Sequence, residues 1–229
     1  MDVKEALADI PDRILHLSLA ALSQANMHAV FLDPGMEHRR DISILNAAHA
    51  GELLIKAIIA KEHPLLIFRD LFKLDTNSED ELSLESLIQR GKTYNFDELP
   101  RLLWATTGRR LPSPEMYERV RRTRNAIQHF CVPDDLDPAF LALEFIYKVI
   151  DPLLFENFGR FAIEYHEDHI GYDYVVGCVV RHELEFSVPS DFSIGEVNLS
   201  DEIADCSDDF KNRLRKRFLD AGLGIPWEA

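Results

Sequence analysis

The stretch "SPEMYERVRRTRNAIQHF", residues 113–130, reads as a helix with its own start signals. Ser113 stands where an N-cap belongs, Pro114 suits the first helical position, and Glu115 complements the first turn. Pro133 lies just past the predicted end, where a helix cannot continue. The stretch is also cationic. Residues 101–124 carry seven arginines (Arg101, Arg109, Arg110, Arg119, Arg121, Arg122, Arg124) against two acids, Glu115 and Glu118, a local excess of five positive charges. The chain as a whole has a formal net charge of −15. Its acids gather elsewhere, in "DTNSEDELSLE" (75–85) and "DEIADCSDD" (201–209). An average charge of that sign repels nucleic acid, but a local patch of the opposite sign can hold an anion.

Outward from this helix, the first two-thirds of the chain shows helical periodicity. Apolar residues recur at spacings of three and four over 10–32, up to the break at Pro34-Gly35, and again over 41–63. In the second of these Asp41 is the expected N-cap and Pro64 the stop. Its face of Ile44, Ala48, Gly51, Leu54 or Ile55, and Ile58 is expected to be buried. The segment 65–74 is short and apolar. Helices are expected over 80–91, ending at Gly91, and over 95–108, interrupted at Pro100. A long one is expected over 136–159, kinked at Pro152. The stripes Leu15, Leu19, Leu22 and Phe140, Leu143, Ile146 or Tyr147, Ile150 are expected in the core.

Near residue 160 the pattern changes. "RFAIEYHE" (160–167) alternates with period two, and "YDYVVGCVVRHELEFSV" (172–188) is rich in β-branched and aromatic residues, which predicts a hairpin across "DHIGYD". "VNLSDEIADC" reads as loop or short strand, and 208–222 as a basic helix. The expected fold class is therefore mainly α. It is a helical domain over 1–158 with a small C-terminal α+β appendage over 159–229, a β-hairpin plus a helix.

The chain has 229 residues, 46% hydrophobic and 28% charged, which suits a globular protein able to bury a core. Three cysteines, Cys131, Cys178 and Cys206, form no CxxC pair and predict a reducing compartment. No run of about 18 consecutive apolar residues occurs, so no membrane span is expected. The N-terminus "MDVKEALADIPDR" lacks a secretory h-region. The cytoplasm is the expected location.

Arg124, Asn125 and His129 are the candidate catalytic residues. A histidine can take a proton from a ribose 2′-hydroxyl, or give one to a leaving 5′-oxygen. An arginine can hold the phosphate and stabilise charge on its oxygens. RNA carries its own nucleophile, so these groups suffice for cleavage without a metal. Asn125 and His129 stand four residues apart on one helix face, close enough for the amide to orient the ring. Arg124 and His129 are five apart, about 140° around the helix and about 7.5 Å along it. Arg122 and His129 also fit an Arg-x6-His spacing. Arg119, Arg121 and Arg122 are the candidates for steering RNA by charge.

At "RNAIQHF" the sequence resembles the HEPN superfamily (higher eukaryotes and prokaryotes nucleotide-binding domains), whose signature is Arg-x4-6-His with a polar residue directly after the arginine. Arg124, Asn125 and His129 occupy those positions. "AAHAGELLIKAIIAKEH" resembles the family's amphipathic helix with a Glu-Leu-x-x-Lys core. Residues 10–158 carry the resemblance. It implies an up-and-down helical bundle and a metal-independent endoribonuclease without cofactor. It also implies a homodimer in which both Arg/His pairs line one composite cleft, in a toxin–antitoxin or phage-defence setting with an antitoxin or regulatory protein as a further partner. Cys131 stands where one branch of the family carries a tyrosine modified by a partner enzyme, so that regulation is not implied. The family also contains members that bind nucleotides or act as adaptors without cutting RNA, which is the alternative reading.

Other features are weaker. His49 and Glu52 lie one turn apart and form a candidate supporting pair. His166, His169, Cys178 and His182 match no standard zinc spacing, so no metal site is expected. His16, His28, His38 and His63 read as surface or boundary residues. "KNRLRKRF" (211–218) suits contact with RNA or an acidic surface, or pairing with the acidic run before it.

Overall fold

The computed structural model describes residues 7–31, 35–36, 38–71, 87, 89–131, 136–167 and 171–228. The protein is mainly helical. The helices are α1 (Ile10–Val30), α2 (His38–Glu62), α3 (Leu99–Thr107), α4 (Pro114–His129), α5 (Pro138–Phe145), α6 (Asp151–Phe158), α7 (Asp173–Arg181), α8 (Leu199–Ile203) and α9 (Asp208–Asp220). Two short antiparallel strands, β1 (Phe68–Arg69) and β2 (Lys92–Thr93), pair Phe68 with Thr93 and Arg69 with Lys92. Two compact units emerge, Met1–Ser18 with Glu52–Leu111, and Leu19–Gly51 with Pro112–Ala229.

In the first unit Leu54, Ile55, Ile59, Leu99 and Leu103 are wholly buried, with Phe96 nearly so. Gly91 permits a close approach there, because a Cβ would stand 2.4 Å from the Leu87 carbonyl oxygen and 2.5 Å from the Phe68 ring. Lys56 is buried but not orphaned. Its Nζ donates to Glu52 Oε1 at 2.7 Å and to Thr93 Oγ1 at 3.0 Å. Pro100 sits in the first turn of α3, where a proline helps start a helix rather than interrupting one. Gly108, at φ 72°, ends that helix in the left-handed conformation.

In the second unit α5 and α6 are joined by a π-helical turn, Ile146–Ile150. Pro152 is the physical cause. It lacks the N–H that an α-helix would aim at Lys148, and its ring would press on that carbonyl. The Asp151 N–H bonds to the Ile146 carbonyl, five residues back, and the turn widens to suit. Asp137 caps α5 by accepting from the N–H groups of Ala139 and Phe140 at 3.0 and 3.1 Å.

Buried polar groups knit this unit together. Asn26, fully buried, donates to the carbonyls of Ala162 and Tyr165 at 3.1 and 2.9 Å and accepts from the Tyr147 hydroxyl at 3.3 Å. Asp151 accepts the Ala162 N–H at 3.0 Å and the Ser187 N–H at 2.7 Å. Burial pushes its carboxyl above the usual range, against the pull of those donors. It also holds the Tyr147 phenol well above its ordinary value, with the Asp151 charge adding to the effect.

The expected hairpin over 160–188 is not where strands form. Residues Ala162–Glu164 make a 3-10 turn and Asp173–Arg181 a helix. Val175, Val176, Val179 and Val180 recur at helical spacing, and all four are fully buried. That stripe outweighs the β preference of valine. Glu183 then adopts φ 53° and turns the chain out of the helix. "VNLSDEIADC" likewise contains α8, with Asn198 accepting from the Ser200 N–H. At the other end of the chain, 64–69 forms a 3-10 turn running into β1.

By length and composition alone the helix α2 is apolar enough to cross a membrane, with a window of mean hydropathy 1.4. Of that window 67% is buried inside the fold, as in a core helix. The predicted helix over 80–91 falls mostly outside the described residues, although Leu87, Gln89 and Arg90 are helical and Gly91 follows. The acidic run 75–85, Pro34, Pro133 and His169 lie outside them too.

Candidate nucleic-acid interface

Helix α4 divides cleanly by burial. Met116, Tyr117, Val120 and Thr123 face the core. The Tyr117 ring lies 5.9 Å from that of Phe145. The opposite face carries the charge. Ser113 occupies the N-cap position without bonding to the helix N–H groups, and its hydroxyl donates to the Glu115 carboxylate instead. That bond holds the Glu115 carboxyl below its ordinary range.

The candidate catalytic residues occupy the last turns of α4. Arg124 and Asn125 are half-buried, and His129, the final helical residue, is exposed. Asn125 precedes the histidine by one turn on the same face. Arg124 is rotated about 140° from it, toward the flank of the buried stripe. Arg122 falls within about 20° of His129 around the axis, and its side chain is 75% exposed.

The steering arginines are held by acids whose part the sequence reading missed. Arg121 Nε and an Nη donate to the two Glu118 oxygens at 2.6 and 2.7 Å, and Arg122 Nε donates to Glu118 Oε1 at 2.7 Å. The bonds from Arg121, then those from Arg122, pull the Glu118 carboxyl down to about 2. Arg119 donates to Glu144 at 2.9 Å, and Lys148 meets the other Glu144 oxygen at 2.5 Å. The spacing of Glu118 three and four residues before its arginines was the available signal. Glu144 lies on α5, so only the fold reveals it. The outcome is a set of ordered guanidinium groups with part of their charge already compensated.

Phe130 follows His129 and is 90% exposed. Its N–H bonds to the Ala126 carbonyl at 2.8 Å and closes the helix.

The other candidates lie apart from this surface in sequence and role. His49 is exposed on α2, while the Glu52 carboxylate receives Lys56. His182 packs against the Phe140 ring at 5.0 Å. Burial pushes the Cys178 thiol up. Among the described residues no group of three or more His, Cys, Asp or Glu side chains converges in a geometry for a metal ion. The basic run on α9 is largely committed internally. Arg213 and Arg217 donate to Glu185 at 2.6 and 2.8 Å, and Arg215 pairs with Glu228. A cavity of about 420 Å³ lined by His38, Arg40, Asp41 and Asp137 opens at the start of α2 and α5. There Arg40 bonds Asp137 at 2.6 Å, so the cavity's main cation is already matched.

No protein-family model, no curated protein and no solved structure matches this chain.

Proposed function

We propose that the chain is a metal-independent endoribonuclease of HEPN type, acting as a homodimer on RNA. The observation that carries this reading is the end of α4. An exposed His129 stands one turn after Asn125 on a helix that presents four arginines, in a chain that is otherwise strongly acidic.

The chemistry follows from the groups present. The ribose 2′-oxygen attacks the adjacent phosphorus, and its proton passes to an imidazole. The phosphorus–O5′ bond breaks, and the 5′-oxygen takes a proton from an imidazolium. The products are a 2′,3′-cyclic phosphate and a 5′-hydroxyl. In a cleft built by two subunits, His129 of one subunit serves as general base or general acid, facing Arg124 of the other. Arg124 holds the non-bridging oxygens, and Arg119, Arg121 and Arg122 guide the strand. Asn125 fixes the imidazole. His49 and Glu52 have at most a supporting role, Glu52 through its pair with Lys56. A toxin or defence setting, with an antitoxin or regulator, belongs to the same proposal.

A second reading is a non-catalytic nucleotide-binding or adaptor module. It is favoured by the divergence of Arg124 and His129 on a single helix and by the Glu118 and Glu144 pairing of the neighbouring arginines.

Incubation of the purified protein with total RNA in EDTA, beside a His129→Ala variant, separates the two. Cleavage that survives the chelator and is lost in the variant is the expected result. Equal cleavage by both forms assigns it elsewhere, and no cleavage by either favours the adaptor.

A further inference from the structure

We propose that Phe130 is a stacking platform for a nucleobase of single-stranded RNA, with Arg122 holding a phosphate of the same strand. The proposal rests on the RNA-directed reading above and names the group that would position the strand at His129.

Phe130 is 90% exposed, whereas the other exposed large apolar side chains among the described residues range from 39% to 58%. Leaving a phenyl ring in water forfeits the stabilisation that its burial would give. The chain neighbours Gln128, His129 and Cys131 are exposed as well. A protein-docking patch has an apolar centre and a polar rim. The exposed Gln128 and His129 just before the ring are polar and supply no such centre. The ring does meet the needs of a stacked base, which are an open π-face and a nearby cation.

The backbone places Phe130 at the very end of the helix. Phe130 leaves the helix at φ −148°, ψ −88°, anchored by its N–H on Ala126. The residue therefore stands at the helix end, directly after His129. Arg122 lies two turns back, about 10 Å along the axis and nearly in line with His129. Glu118 grips Arg122 through Nε at 2.7 Å, which orders the guanidinium. Asn125 and Ala126 lie between them on this side of the helix. A strand whose base rests on Phe130 thus passes its sugar–phosphate over His129 toward Arg122. Stacking tolerates every base, so the site selects unpaired RNA rather than sequence.

The test uses an unstructured oligonucleotide with 2′-O-methyl riboses, which cannot be cut, so binding is read apart from activity. Phe130→Trp is titrated with it by fluorescence, with the wild type supplying the background of Trp104 and Trp227. Affinity is measured in parallel for Phe130→Leu, Phe130→Ala and Arg122→Ala. The expected result is new quenching in Phe130→Trp at near wild-type affinity, with Phe130→Leu and Phe130→Ala about tenfold or more weaker, the size of one lost stack. Arg122→Ala weakens binding and lowers its salt dependence. If the wild type binds and Phe130→Leu binds equally well with no quenching in Phe130→Trp, the stacking role is overturned while the RNA reading stands. Loss of self-association in Phe130→Ala, with oligonucleotide binding intact, overturns it in favour of a protein contact. If no form binds the oligonucleotide at low salt, the RNA reading fails and this inference with it.

Discussion

Arg124 and His129 share helix α4 yet point about 140° apart around its axis, the arginine half-buried and the histidine exposed. The two therefore do not share a face of the helix. If two subunits build the cleft, Arg124→Ala and His129→Ala are each inactive alone. Mixed after exchange of subunits, they recover about a quarter of wild-type cleavage, because half the dimers are mixed and each holds one intact pair. Recovery is read as cyclic-phosphate product from a defined RNA. No recovery despite demonstrated exchange places the pair within one subunit.

Glu118 restrains the cationic face. Its carboxyl sits at about 2 through the bonds from Arg121 and Arg122. A depressed value means the ionised form is favoured above the unfolded-state range, and the effect is lost only as pH falls toward 2. Between pH 5 and 9 this group does not titrate, so pH-dependent cleavage in that window does not arise from it. Replacing it, as Glu118→Gln, releases two guanidinium groups at once. RNA then binds more tightly at low salt, and the slope of log affinity against log salt steepens by up to about 0.7 for each further phosphate that a freed arginine neutralises. An unchanged slope means that these arginines do not meet phosphate.

The helices were legible where local pattern and burial agree. The face Ile44, Ala48, Gly51, Leu54 and Ile58 reads as core in the sequence and is core in the fold. Pro152 announced an irregularity, though not that it would be a π turn. Residues 172–188 misled because valine prefers strands, while the 175, 176, 179, 180 spacing carried the helical signal. At the candidate interface, motif spacing nominated Arg124, Asn125 and His129. Restraint of Arg121 and Arg122 by Glu118 follows from helix periodicity and was within reach. The pairing of Arg119 with Glu144 spans two helices and was not. The exposure of Phe130 is a property of the folded surface, and no local pattern distinguishes it from a buried aromatic.

Asp151 is a buried cross-link between α6 and the segments at Ala162 and Ser187. Asp151→Ala orphans two buried N–H groups and lowers unfolding free energy by about 2–5 kcal/mol, measured by urea denaturation. The pH dependence has a definite sign. Burial raises the folded-state value, so the folded state holds this proton more tightly than the unfolded chain does. That contribution is present at low pH and lost as pH rises through the folded value. The stability gap between wild type and Asp151→Asn is therefore wider at pH 4 than at pH 7. A gap that widens with rising pH means the N–H donors outweigh burial.

Gly51 lies within α2, where glycine costs about 1 kcal/mol relative to alanine. Helix propensity alone makes Gly51→Ala stabilising. Packing opposes it, because the added Cβ would stand 2.8 Å from both Cε1 and Cζ of Phe145, a ring with no exposed surface. Overpacking of this kind costs about 1–3 kcal/mol, which outweighs the propensity gain in most of that range. Gly51→Ala is thus expected to unfold at lower urea. Phe145→Leu makes room for the methyl group but leaves a void of its own. The double variant is expected to lose less stability than the two single changes add up to, a coupling that a double-mutant cycle reads directly. Strict additivity would mean that the ring moves aside at no cost and that the close approach of α2 to α5 does not depend on a glycine.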